Sequence, residues 1–311
     1  MISVKNVTKY YGNTLAVDDI SFEVERGEIV GFLGPNAAGK TTTMRIISGY
    51  LYPTKGEVKV ASIDVIDNPV EVKKHIGYMP ENVPLYADMP VYTYLEFFAS
   101  LRGIDPTKRS SHILEILEKV GIEKELHNRL IGTLSKGYRQ RVGVAQALVG
   151  NPDVLILDEP TVGLDPNQIM EIRKLIKELG KDHTIILSTH ILQEVSAVCD
   201  RVIIINEGKL VAIDTQESLL QKVESGQRNK VVVEGDFYRV KEKLNEIDGV
   251  INIELLKSEN GRNEIFVIAE KGKDIRKEIS KTIIQNGFDL LELSRVTLTL
   301  EEVFAKLTKE S

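Results

Sequence analysis

The sequence predicts an α/β fold: a mostly parallel sheet, a helical insertion within it, and a small ferredoxin-like α+β domain after it. Three observations carry that prediction. Short, almost wholly apolar runs recur in "EIVGFLG", "DVLILDEP", "HTIILSTH" and "RVIIINEG", as strands buried on both faces of a parallel sheet read. Helical patterns over Gln168–Gly180 and Ile191–Cys199 separate the later runs, which is the alternation of an α/β sheet. From residue 230 the pattern changes. "KVVVEG", "RVKEKLNEIDGV", "INIELLKS", "EIFVIAE", "IRKEISKTIIQNG" and "FDLLELSRV" read as strand, helix, strand, strand, helix, strand, the ferredoxin-like order.

The elements follow in turn. "ISVKNVTKYY" and "DISFEVERGEIVGFLG" alternate as strands do, with turns at Gly12-Asn13 and Arg26-Gly27. Glu28–Leu33 is apolar after its first residue and leads into a glycine-rich loop, then the helical "KTTTMRIISGYL". Residues from about 89 to 148 read as mainly helical, because "YTYLEFFASLRG", "SSHILEILEKVG" and "KGYRQRVGVAQALVG" carry apolar side chains at helical spacing and end near glycine. The domains expected are 1–214, with its helical subdomain at about 89–148, and 230–311, joined by a polar helix and linker over 215–229. The closing "TLEEVFAKLTKE" reads as a short helix capped by Thr299.

Composition narrows the function. In 311 residues, 42% are hydrophobic and 28% charged, and the net charge of −6 leaves no basic footprint for nucleic acid. The single cysteine, Cys199, makes no internal disulfide and reads as a core filler in a reducing compartment. Apolar runs fall far short of the ~18 residues that a membrane span needs, so no direct membrane insertion is expected. The start lacks the apolar stretch of a signal peptide, so the chain is expected in the cytoplasm. The five histidines are scattered, without metal-ligand spacing.

The spacing Gly34-x-x-x-x-Gly39-Lys40-Thr41, between a strand and a helix, is the phosphate-loop motif. Backbone N–H groups and the positive helix end suit phosphate oxygens, Lys40 suits the outer phosphates, and the Thr41 hydroxyl suits Mg²⁺. In "VLILDEP" an apolar strand ends on Asp158 and Glu159, one carboxylate for a metal's water shell and one to polarise a water. Alone, that pair also reads as a cap on a neighbouring helix. "LSKGYRQR" opens a helix with Ser135 and Gly137, either a second anion site or simply a serine N-cap.

With these residues in place, the chain resembles the ATP-binding subunit of ABC transporters over about residues 2–213. An aromatic residue, Gly34–Thr41, "LSKGYRQR", "LILDEP", "GLDP" and "STH" occur in the family's order. The resemblance implies a P-loop NTPase of the ABC ATPase type that binds ATP through Gly34, Asn36, Ala37, Ala38, Gly39, Lys40, Thr41 and Thr42. It puts Tyr11 on the adenine, with Tyr10 a rival, and Mg²⁺ on Thr41, Asp158 and Glu81. Glu159 would activate the attacking water and His190 would sense the terminal phosphate. The family's subunits pair head to tail, each ATP lying between one phosphate loop and the other chain's Ser135 and Gly137, with Asp165 facing the dimer. The implied partners are a second copy or a homologous subunit and a membrane-spanning permease, which brings the chain to the inner face of the cell membrane. The segment from Glu81 to about Tyr94 is expected to meet the permease through exposed side chains such as Tyr86.

Within the family the chain is most similar to the export-type branch that serves drug, polysaccharide and gliding-motility exporters. "GYMPENVPLYADMPVYTYLEFFASLRG" and "LTLEEVFAKLT" carry that similarity. Three departures stand out. Ala37 occupies a frequent glycine position, and a left-handed backbone there would cost about 1–2 kcal/mol, less than a few charge-assisted phosphate bonds at ~1.5–3 kcal/mol each. Glu81 replaces a glutamine, while Lys136 and Tyr138 replace a glycine and a glutamine of the signature. Lys136 is expected to strengthen the second anion site. The alternative function is an ATP-gated clamp that regulates a partner, with hydrolysis incidental.

Overall fold

The computed structural model describes residues 1–223 and 227–296. Two compact units divide the chain after Gln216. In the first, β1 (Ile2–Tyr11) and β2 (Thr14–Val24) form a hairpin that precedes β3 (Ile29–Leu33) and α1 (Lys40–Ile47). Then come β4 (Lys55–Val60), β5 (Ile63–Asp64), α2 (Pro69–His75) and β6 (Ile76–Met79). The helical insertion is α3 (Val91–Leu101), α4 (Pro106–Lys119) and α5 (Lys136–Leu148), and β7 (Val154–Asp158), α6 (Pro166–Leu179), β8 (Thr184–Thr189) and α7 (Leu192–Val198) return the chain to the sheet. The unit closes on β9 (Arg201–Asn206) and β10 (Lys209–Asp214), and α8 (Gln216–Val223) follows.

The central sheet has the order β10-β9-β3-β8-β7-β6, parallel except for β10. Every residue of β3, β7 and β8 is buried, which accounts for their unbroken apolar runs. An antiparallel sheet, β2-β1-β4-β5, shares one core with it. In that core the Phe22 ring lies 5.7 Å from Phe32. The functional loops leave the carboxyl ends of β3, β7 and β8, where ligands of parallel sheets bind.

The insertion helices form for local reasons. Asp105 Oδ1 accepts from Thr107 N at 2.8 Å and Pro106 takes the first helical position of α4. Ile113, Ile116, Leu117 and Val120 make its buried stripe, each side chain contributing ~1.5–3 kcal/mol. Cys199 is buried, and burial pushes its thiol well up.

The second unit contains β11 (Gln227–Glu234), α9 (Phe237–Asn245), β12 (Val250–Glu259), β13 (Arg262–Ala269), α10 (Arg276–Gln285) and β14 (Asp289–Val296). Its antiparallel sheet runs β12-β13-β11-β14. This is the ferredoxin-like arrangement, with the first strand central. Its core holds Val231, Val233, Ile265 and Val267 of the sheet against Val240, Leu244, Ile279 and Ile283 of the helices. The first strand starts at Gln227 and not at 230. Its opening residues are polar yet alternate, with Gln227 and Asn229 buried, so polarity hid the strand. The closing helix expected after Thr299 lies outside the described residues.

Candidate nucleotide site

The phosphate loop is built by close backbone approach. A Cβ on Gly34 would lie 2.4 Å from Ile205 O, and one on Gly39, at φ 106, would lie 2.7 Å from Ala16 O. Ala37 adopts φ 63, so the left-handed conformation that its side chain disfavours is the one it holds. Thr43 Oγ1 ties the first turn of α1 to Gly39 O at 2.9 Å. That turn carries no acidic side chain, so its positive end is not cancelled.

A cleft of about 590 Å³ opens over this loop, lined by Asn36, Ala37, Ala38, Gly39, Lys40, Thr41 and Thr42 with Glu81, Glu159 and His190. Lys40 is only 6% exposed. Its ammonium donates to Gly34 O at 2.8 Å and Pro35 O at 3.0 Å and lies 3.3 Å from Glu159 Oε1. The other oxygen of Glu159 meets His190 Nδ1 at 2.8 Å. Glu159 sits at φ 51, held by its N–H to Ser188 O at 3.0 Å, and strained backbone of this kind clusters at functional sites.

Asp158 is fully buried, and Ser188 Oγ donates to its Oδ1 at 2.5 Å. Its Oδ2 is buried without a hydrogen-bond partner, which fits a hard divalent cation that takes oxygen ligands. Burial, with the charge of Asp158 adding to it, pushes the Tyr78 phenol up to about 12. Among the described residues no group of three or more His, Cys, Asp and Glu is placed to hold a metal by itself.

Tyr11 is 46% exposed, with Lys9 Nζ 5.6 Å from its ring centre, and it does not line the cleft. Its cross-strand partner Thr14 does, with Leu15 and Ala16. Sequence reasoning missed these three, whose signal is the Gly12-Asn13 turn that delivers them. It also missed Val162, which lines the cleft just beyond "LDEP".

Ser135, Gly137 and Asp165 meet at a separate cleft of about 350 Å³. Ser135 caps α5 through Tyr138 N at 3.4 Å, and Asp165 Oδ1 caps α6 through Asn167 N and Gln168 N, both at 3.0 Å. A Cβ at Gly137 would lie 2.8 Å from the Gln168 side chain, so glycine lets the two helices approach. Lys136 does not join this site. Its side chain lies against Gly163 and lines another cleft with Glu81, Arg139 and Gln140. Tyr138 OH donates to Glu123 Oε2 at 2.9 Å.

Fold and site together define a phosphate-loop nucleotide-binding protein. Comparisons with known proteins specify the kind. The ABC transporter family profile matches residues 17–162. The chain is 36% identical over its whole length to the uncharacterized ABC transporter ATP-binding protein YhcH of Bacillus subtilis (strain 168), covering 97% of that protein. It is 34% identical, over 99% of its length and 97% of the relative's, to the bacitracin transport ATP-binding protein BcrA of Bacillus licheniformis. Among solved structures, the dimeric ABC transporter cassette MJ0796 aligns with 69% of this chain and 98% of its own, at 28% identity and a TM-score of 0.64. The same cassette, as a post-hydrolysis dimer bound to ADP and Pi, gives 26% identity and 0.63 over the same shares. The chain belongs to the ABC transporter ATP-binding protein family. It is an ATP-binding and ATP-hydrolysing subunit of that class.

Proposed function

We propose that two copies of this chain pair head to tail and power an export-type transporter, each ATP lying between the phosphate loop of one copy and Ser135 and Gly137 of the other. The observation that carries the reading is the division of labour within one subunit. Lys40, Glu159 and His190 converge in one cleft, while Ser135, Gly137 and Asp165 occupy a different one.

In the proposed mechanism Lys40 leaves the Gly34 and Pro35 carbonyls for the outer phosphates. That motion frees Glu159 Oε1 to accept a proton from the attacking water, while His190 holds Oε2 and positions that water. Catalysis is then chiefly placement and electrostatics, as in other phosphoryl transfers. Thr41, Asp158 and Glu81 would hold Mg²⁺, which would neutralise phosphate charge when bound.

Full-length similarity to BcrA supports the export-type branch. A permease would dock on the Glu81–Tyr94 segment, where Tyr86 is half-exposed and packs edge-on to Tyr94, and would keep the chain at the inner face of the membrane. No helix among the described residues is long and apolar enough to cross a membrane.

The test is Mg²⁺-dependent ATP hydrolysis across protein concentration, with Glu159→Gln alongside. A rate that rises faster than linearly and vanishes in the variant is expected. A linear rate indifferent to Glu159→Gln overturns the reading, and ATP binding without turnover at any concentration favours the clamp.

A further inference from the structure

Glu194 is a buried carboxylate for which the chemistry above has no use. It lies in α7, 1% exposed, and both its oxygens accept from hydroxyls: Oε1 from Thr161 Oγ1, and Oε2 from Thr189 Oγ1 at 2.7 Å. Both threonines are buried as well. Thr161 follows Glu159 by two positions, and Thr189 immediately precedes His190. Thr189 Oγ1 also accepts from Ile191 N at 3.0 Å, so the backbone on each side of His190 is tied to the same cluster.

An apolar residue would be less costly to bury on this helix face. What a carboxylate adds is two hydrogen bonds to two different segments, and those segments carry the reacting groups. Glu159 also needs such support, because a left-handed glutamate persists only where its surroundings over-determine it.

We propose that Glu194 is a positioning residue for hydrolysis. It braces the segment after Glu159 to the segment before His190 and thereby fixes the 2.8 Å contact between His190 Nδ1 and Glu159 Oε2. The proposal rests on the roles given above to Glu159 and His190. Glu194 does not line the nucleotide cleft, so its loss acts on turnover and not on ATP binding.

The experiment measures kcat, the dissociation constant for ATP and the melting temperature of Glu194→Gln, Thr161→Val and Thr189→Val in the full chain. Thr161→Val removes one bond to Glu194, and Thr189→Val removes its bond to Glu194 together with the one from Ile191 N, each with little change of shape, which keeps the test valid if the Glu194 variant fails to fold. Each valine variant is expected to lower kcat about tenfold or more, as misplaced reacting groups do, with ATP affinity within about threefold of the parent. Thr161→Ser and Thr189→Ser, which keep the hydroxyls, should restore kcat. In a Glu159→Gln background Thr161→Val should lower the residual rate no further, since both act on one step. Valine variants with parental kcat overturn the brace. So do variants whose kcat, ATP affinity and melting temperature fall together without rescue by serine, because that is a merely structural role. If Glu159→Gln itself hydrolyses ATP at the parental rate, the failure lies instead in the underlying reading of the base.

Discussion

The two half-sites of this chain are built in opposite ways. Around the phosphate loop Lys40 and Glu159 are buried, at 6% and 5% exposed, and they form a continuous line of contacts with the more exposed His190. Around the second cleft Ser135 and Asp165 are exposed, and each caps its own helix. On the proposed reading the buried half is preorganised for chemistry and the exposed half for docking. The comparison predicts that substitutions in the first change the rate per assembled site, and substitutions in the second change how readily sites assemble.

The largest effect falls on the buried half. Glu159→Gln should lower kcat by about 10²–10⁴, the span of general-base contributions, while ATP binding by the single chain stays within a few-fold, as equilibrium titration would show. Ser135→Ala comes next. Its cap bond at 3.4 Å is long, so the stability loss should sit at the low end of ~0.5–2 kcal/mol. Losing a phosphate donor should require about tenfold more protein for half-maximal turnover, a charge-assisted bond being worth ~1.5–3 kcal/mol. If Ser135→Ala instead weakens ATP binding by the unpaired chain, the division between the halves fails.

The parts of this site that were legible in the sequence are those whose chemistry is written contiguously. Gly34–Thr41 follows an apolar strand, and Asp158-Glu159 and Ser188–His190 fall at the carboxyl ends of two more, so spacing alone places them at one end of a sheet. The ferredoxin-like order was legible from alternation, except where Gln227 and Asn229 put polar atoms on a buried face. Residues that act through tertiary contact were hidden. Glu194 stands in a helical pattern where a lone glutamate reads as solvent-facing, and only the fold brings Thr161 and Thr189 to its two oxygens. Lys136 shows the converse. Sequence places it between Ser135 and Gly137, but on a helix adjacent residues point apart, and it lines another cleft.

Acidification offers a smaller and more selective probe. His112 of α4 accepts from Gly150 N at 3.0 Å through Nε2, joining α4 to the end of α5 in the exposed half. Burial holds its pKa below the ordinary 6.5. Below that value the unfolded chain takes up a proton that the folded chain refuses, so stability is present above pH 6.5 and is lost as pH falls from there through the folded pKa. Hydrogen exchange between pH 7.5 and 5.5 should show α4 and the end of α5 loosening before β3 and β7. His112→Gln should flatten that dependence, and equal loosening of both regions would contradict the contrast drawn between them.

The smallest effect belongs to Ala37, although its φ of 63 is the feature of the loop that departs most from what its side chain prefers. Relief of the left-handed strain by Ala37→Gly is worth about 1–2 kcal/mol, but glycine also loosens the unfolded chain by ~0.4–1 kcal/mol. The net gain of roughly a kilocalorie should raise the melting temperature by about 2–4 °C. ATP affinity should stay within about threefold, because the strained φ belongs to a loop already fixed by the close approaches of Gly34 and Gly39 to the Ile205 and Ala16 carbonyls. A more than tenfold tightening, ~1.4 kcal/mol, would mean that nucleotide binding itself forces the alanine further from its preferred backbone. The buried half would then be less preorganised than its contacts imply.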